Sequence, residues 1–253
     1  MTEDSFDNFS FRAINIPDQL RNLLRTSIMD GRFNPGDKLP SEEQMAKQFN
    51  VSKTVLREAL GQLVAVGLIE KRRGAQGGSF VARGNSERIL DVVVDCYHLG
   101  GLTIDEVIEY RRIMEPVVIE LACVKRSKEN IEIMEANLET CRQAIESGEA
   151  DRKGQVEFHS LIAQACQNRL ITSAMNAALK ISREFTSKLN LSLEEGKEDF
   201  EFNRQFFDCI QDNEPDKATS LMREHFERSR LLVERYQSLE LGKNQAISDK
   251  TEV

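Results

Sequence analysis

A mainly α-helical protein in two modules is what the sequence predicts, and three observations predict it. Apolar residues recur at helical spacing through most of the 253 residues: in NVSKTVLREALGQL, Leu56, Ala59, Leu60 and Leu63 fall at i, i+3, i+4 and i+7, one stripe facing a core. Strand patterning is confined to one short stretch, LIEKRRGAQGGSFVA, so the sheet content is a single small hairpin. Charge is divided unevenly. Residues 11–84 carry 12 Lys+Arg against 7 Asp+Glu, a balance of +5, whereas the remainder carries 22 against 35, a balance of −13, which together give the net −8. A basic first module on an acidic body suits a polyanionic partner.

Composition excludes several classes. The chain is 40% hydrophobic and 30% charged with no Trp, the profile of a folded helical protein. No apolar run reaches the ~20 residues needed to cross a bilayer. The acidic start MTEDSFDNFS lacks the basic segment and apolar core of a signal peptide, so a cytoplasmic protein without membrane association is expected. Cys96, Cys123, Cys141, Cys166 and Cys209 are odd in number, widely scattered and never spaced C-x-x-C. That argues against a disulfide framework and a thiolate zinc site, and for reduced core cysteines.

In the first module, Leu20, Leu23, Leu24 and Ile28 define a helix face, and Gly31 supplies the stop. NPGDKLP reads as a turn. Ser41 is an N-cap whose capping box is completed by Gln44, opening the short helix EEQMAKQF. Asn50 is suited to a left-handed turn residue. Ser52 caps the next helix, which stops near Gly67. Two helices joined by a tight turn, over about residues 42–61, form a helix-turn-helix whose second member presents Ser52, Lys53, Thr54 and Arg57 on its polar face. A recognition helix enters the major groove N-terminal end first, where Lys or Arg read guanine O6/N7, hydroxyls hold phosphates, and an exposed Val55 touches a thymine methyl. Two β segments, 68–72 and 79–82, then flank a tip with Gly74, Gly77 and Gly78. Lys71, Arg72 and Arg73 beside the tip form a wing along the phosphates. The expected fold is therefore a winged helix-turn-helix, three helices plus a small β-hairpin wing, over residues 11–84. Its candidate DNA-binding residues are Ser41, Ser52, Lys53, Thr54, Arg57, Arg72, Arg73 and Gly74.

The stretch GDKLPSEEQMAKQFNVSKTVLREALGQLVAVGLIEKRRGAQGGSFV resembles the GntR family of bacterial winged-helix regulators, over roughly Ile16 to Ala82. The resemblance implies that Lys53, Thr54, Arg57 and the wing at Arg73–Gly74 contact DNA. At one position the chain departs from the family, which usually has a DNA-contacting arginine where Glu43 stands. Glu43 repels phosphate, so the resemblance implies that this contact is absent and that operator preference is shifted.

After the polar linker RGNS, six helical segments are expected, at about 87–99, 104–127, 130–147, 152–167, 170–191 and 195–212, with a seventh from about 215 to 238. Thr103 with Glu106 forms a capping box, and Pro215 suits a helix start. Pro116 inside the second segment predicts a kink. This all-α bundle spans 86–240, followed by a disordered tail at 241–253.

Within it, polar residues interrupt apolar stripes on four helices. Arg111 shares the face of Ile104, Val107, Ile108, Met114 and Val118. His159 shares a face with Ile162 and Cys166, with Gln155 one turn earlier. Asn203 lies at helical spacing from Phe200, Phe206, Phe207 and Ile210, and His225 lies among Leu221, Met222 and Leu232. An unpaired buried polar group costs ~1–3 kcal/mol, so these residues meet one another, water or a ligand. Five convergent polar groups in a bundle favour a ligand pocket over an internal hydrogen-bond network. The candidate effector-binding residues are Arg111, Gln155, His159, Asn203 and His225.

EYRRIMEP, EFHSLIAQACQN and SLMREHF resemble the FCD effector domain of the FadR subfamily, over about Ser86 to Leu239. Many members bind Zn²⁺ or a similar ion through one aspartate and three histidines. His159 and His225 match two of those histidines, but Gln155 stands at the aspartate position and Asn203 at the third histidine. Amide oxygens are weak ligands for such metals, so His159 and His225 form an incomplete divalent-metal site and no cofactor is required. The subfamily also includes metal-free members that bind acyl-CoA, and a pocket in which Arg111 meets a carboxylate fits these residues.

The expected protein is a homodimeric transcriptional regulator that binds a palindromic double-stranded operator and a small carboxylate or acyl-CoA-type effector. A zinc-dependent organic-acid sensor of the same family is the second reading, and a protein-interaction module the third. No G-x-S-x-G, Walker A, H-E-x-x-H or dinucleotide fingerprint is present, so no enzyme is expected.

Overall fold

The computed structural model describes residues 15–74, 76–187 and 192–230, which divide between two compact units meeting at the Asn85–Ser86 bond. The first unit is built on α1 (Ile16–Met29), α2 (Glu42–Gln48) and α3 (Lys53–Ala65), followed by β1 (Ile69–Arg72) and β2 (Gly78–Val81). Capping sets the helix starts. Ser41 Oγ accepts from the Gln44 N–H while the Gln44 side chain accepts from the Ser41 N–H, and Ser52 Oγ accepts from the Val55 N–H at 3.2 Å. Asn50 adopts φ +53° between α2 and α3, the left-handed turn that brings the two helices together.

The core of this unit gathers Leu20, Leu24, Met45, Leu56, Ala59, Leu60, Leu63, Ile69 and Val81. Leu23 departs from its predicted stripe and is exposed, and Val55 is half-buried rather than exposed. β1 and β2 pair antiparallel with Ile69 opposite Val81 and Arg72 opposite Gly78. The segment read as a turn contributes more than a turn. Lys38 bridges Phe80, and the Leu39 N–H donates to Ser79 O at 2.9 Å, so the chain before α2 lies along the free edge of β2. At the tip, a Cβ on Gly77 would meet Arg72 O at 2.5 Å, so only glycine fits there.

The second unit contains α4 (Glu87–His98), α5 (Ile104–Lys125), α6 (Lys128–Glu146), α7 (Arg152–Ala165), α8 (Arg169–Thr186) and α9 (Leu193–Asp212), and a tenth helix, α10, over 215–230. α5 packs on α7, α8 and α9, α4 packs on α8, and α6 packs on α7 and α9. The shared core includes Ile119, Met134, Phe158, Ile162, Met175, Phe206, Ile210 and Met222. α5 continues as one helix through Pro116. The carbonyl that the missing Pro116 N–H would have satisfied belongs to Arg112, an exposed residue. The end of the predicted 170–191 segment, the end of the seventh helix with Leu232, and the 241–253 tail lie outside the described residues.

The five cysteines are free thiols, and four of them are buried. Burial pushes Cys123 up to about 11 and Cys141 up to about 12. Among the described residues no helix is long and apolar enough to cross a membrane.

α7 begins under unusual constraint. Asp151 sits at φ +28° and caps Gly154 N at 3.1 Å, while a Cβ on Gly154 would press on the Asp151 carboxylate and approach Cys141 Sγ to 2.6 Å. Alanine inside a helix ordinarily gains up to ~1 kcal/mol over glycine. Gly154→Ala is expected instead to lose ~1–3 kcal/mol in urea denaturation, because overpacking outweighs propensity.

Candidate functional site

Two groups of side chains form the candidate sites, one in each unit. In the first, Lys53, Thr54 and Arg57 project from the exposed face of α3. Ser41 and Ser52 stand at the adjacent helix starts, their oxygens already engaged as caps. Glu42, the first residue of α2, ties this face to the wing: Arg57 Nε donates to Glu42 Oε2 at 2.7 Å and Lys71 Nζ to Oε1 at 3.1 Å. The Arg57 hydrogen bond, and after it the hydrogen bond and charge of Lys71, hold the Glu42 carboxyl below its ordinary range despite partial desolvation. The exposed face of α3 and the hairpin thus share one surface.

At the tip, Arg72 Nε donates to Glu70 at 2.9 Å and its guanidinium lies 4.1 Å from the Phe80 ring centroid, so Arg72 is turned onto its own hairpin. Arg73 is exposed, and Gly74 takes φ +102° with open space around it. Glu43, highly exposed, lies 3.6 Å from Lys53 Nζ.

In the second unit, Arg111, Gln155, His159, Asn203 and His225 converge from α5, α7, α9 and α10, together with a residue that the sequence reading did not single out. Glu115, one turn beyond Arg111, is buried and accepts from Arg111 Nε at 2.6 Å, and its other oxygen lies 2.6 Å from His159 Nδ1. Burial alone would raise its pKa. The charges of Arg111 and His159 outweigh that and hold it well below the usual carboxylate range. Arg111 is thus paired internally through Nε, whereas Nη1 and Nη2 have no hydrogen-bond partner among the described residues. Glu115 was detectable as an i, i+4 partner of Arg111 on the inward face of the same helix.

The two amides bond to each other. Asn203 Nδ2 donates to Gln155 Oε1 at 2.7 Å, and Gln155 Nε2 donates to Gly196 O at 3.3 Å. Asn203 Oδ1 is left without a partner, as is His225 Nδ1. His225 packs in an aromatic cage: its ring centroid lies 5.3 Å from that of His159, 5.1 Å from Phe202, 5.7 Å from Phe206 and 5.9 Å from Phe226.

The donor set does not fit a zinc-type ion. Two of its four positions are amides engaged with each other, and His159 Nδ1 faces Glu115. Among the described residues no group of three or more His, Cys, Asp or Glu is arranged to hold a metal. A cavity of about 390 Å³ lies elsewhere in the unit, lined by Lys153, Arg183, Glu184, Thr186 and Ser187, none of them a predicted effector residue.

Burial, and then the neighbouring His159 charge, push His225 well below its ordinary 6.5. The folded protein therefore resists a proton that the unfolded chain accepts below about 6.5. This group's contribution to stability is complete above that pH and is lost as pH falls through 6.5 toward the lower folded value. The expected result is a lower urea midpoint at pH 5.5 than at pH 7.5, with the slope flattened in His225→Phe. Glu115, held at about 2, titrates below this window.

Comparison with known proteins places both sites in matched regions. The model for bacterial regulatory proteins of the gntR family matches residues 17–81, and the FCD domain model matches residues 106–228. The chain is 31% identical over 149 residues to the HTH-type transcriptional regulator LutR of Bacillus subtilis (strain 168), an alignment covering 59% of this chain and 67% of that protein. It is 30% identical over 153 residues to the Uxu operon transcriptional regulator of Escherichia coli (strain K12), covering 59% of this chain and 58% of that one, a little over half the relative's length. Among solved structures, Streptococcus agalactiae GntR superimposes with a TM-score of 0.59 at 21% identity, over 85% of this chain and 98% of that one, which is likeness of fold.

Proposed function

The chain belongs to the GntR family of bacterial regulatory proteins, with a winged helix-turn-helix and an FCD domain, and from that premise we propose the finer reading. The protein is a cytoplasmic, non-enzymatic homodimer that grips a palindromic operator through Lys53, Thr54, Arg57, Arg73 and Gly74, with Ser41, Ser52 and Arg72 in support. It is controlled by an anionic organic effector, a small carboxylate or an acyl-CoA-type ester, held among Arg111, Gln155, His159, Asn203 and His225. The observation that carries the effector reading is the set of unfilled valences in the α5–α7–α9–α10 cluster. Arg111 offers two Nη groups, and the buried Asn203 Oδ1 and His225 Nδ1 have no partner. A guanidinium with free Nη groups suits a planar carboxylate, and leaving buried polar atoms unpaired is costly unless a ligand or water meets them.

Thermal shift tests the reading, with small carboxylates, sugar acids, acyl-CoA esters, and Zn²⁺ with and without EDTA. A ligand at about 100 times its Kd adds ~2.7 kcal/mol. A shift from an acid, insensitive to EDTA and lost in Asn203→Ala, supports the reading. A Zn²⁺ shift abolished by EDTA overturns the metal-free version.

A further inference from the structure

Glu43 differs from the other acidic side chains on the recognition surface. Glu42, beside it, is saturated by Arg57 and Lys71. The Glu43 side chain is 81% exposed, and the cation facing it, Lys53 Nζ at 3.6 Å, belongs to a side chain 57% exposed. So open an ion pair contributes little to stability and is readily exchanged for other partners. A carboxylate here, next to the first residue of α3, meets either a phosphate, which repels it, or a base edge that donates to it. Base edges in the major groove distinguish the two base-pair types. A G·C pair presents two adjacent acceptors, guanine N7 and O6, followed by one donor, cytosine N4. An A·T pair alternates acceptor, donor, acceptor, so a carboxylate aimed at adenine N6 is flanked by repelling oxygen and nitrogen. One cation beside one carboxylate complements the first pattern and not the second.

We propose that Glu43 is a specificity-determining residue that accepts a hydrogen bond from the N4 amino group of a cytosine whose guanine partner is held by Lys53, so that the two side chains together read one G·C base pair per bound winged module. The proposal rests on the reading of α3 as the DNA-facing helix. It assigns the acidic residue a role in discrimination: the same carboxylate that lowers affinity for every duplex lowers it least where cytosine stands opposite.

The test uses the full chain and an operator selected by the wild-type protein from a random duplex pool. Each base pair of that operator is replaced in turn, and affinity is measured for wild type, Glu43→Ala and Lys53→Ala. Wild type is expected to lose about tenfold when the G·C pair read by one module becomes A·T. Glu43→Ala is expected to reduce that loss to about twofold or less, leave the other positions unchanged, and bind all duplexes more tightly. Lys53→Ala is expected to relax the same position. A Glu43→Ala profile matching wild type at every position overturns the proposal while leaving the DNA reading intact, and relaxation by the two variants at different positions overturns it equally. A wild-type protein that selects no duplex overturns both readings.

Discussion

Replacing Lys53 and Arg57 together by alanine is expected to weaken operator binding at least about a hundredfold, since each well-placed cation contact in the major groove contributes ~1–3 kcal/mol. Two further effects act in the same direction. Both side chains face acidic partners, Lys53 at Glu43 and Arg57 at Glu42, so their removal leaves two carboxylates turned toward the phosphates. If both cations also displace counterions, the slope of log affinity against log salt becomes shallower by about two. Neither side chain enters the core, which Leu56, Ala59, Leu60 and Leu63 fill from the opposite face of α3, so the melting temperature should hold. Anisotropy titrations at low and moderate salt measure the effect. Unchanged affinity in the double variant would remove α3 from the DNA interface.

The second large effect is expected at Glu115. Glu115→Gln conserves the volume but removes the carboxylate that pairs with both Arg111 Nε and His159 Nδ1, leaving cationic charge in a site where both side chains are largely enclosed. Breaking a buried pair in this way costs ~3–5 kcal/mol, because the remaining charge is stranded away from water. Urea denaturation at pH 7 should show this as a lower midpoint at unchanged slope. A loss below ~1 kcal/mol would mean that water reaches the cluster and screens it.

Much of the first unit was legible because its signals are local. The Ser41–Gln44 box, the left-handed Asn50 and the stops at Gly31 and Gly67 depend on residues a few positions apart, and each stands as read. The pairing of Lys38 with Phe80 was not legible, since two residues carry no periodicity and the partner strand lies some forty residues on. Leu23 obeyed the helical spacing and is nevertheless exposed, because spacing gives a face and not its width. In the second unit the inward polar residues were found as interruptions of apolar stripes. Their mutual bonding was not. Whether Asn203 meets Gln155 or a ligand depends on how α7 and α9 cross, and although Glu115 sits one turn from Arg111, its contact with His159 depends on how α5 and α7 pack. The start of α9 was legible but was read late: Ser192 and Glu195 form a full capping box, one residue before the helix begins at Leu193.

The Glu42 clamp also bears on conformational entropy. Long cationic side chains ordinarily sample many rotamers in water, and fixing each one at an interface costs ~0.5–1.5 kcal/mol on association. Glu42 already restrains Arg57 and Lys71, one on the recognition helix and one on the wing, before any duplex arrives. Part of the ordering that DNA would otherwise impose has therefore taken place during folding. On the reading of this face as the DNA interface, an acidic residue that a count of charges would score as a hindrance instead narrows the ensemble of its two neighbours toward a common direction of approach.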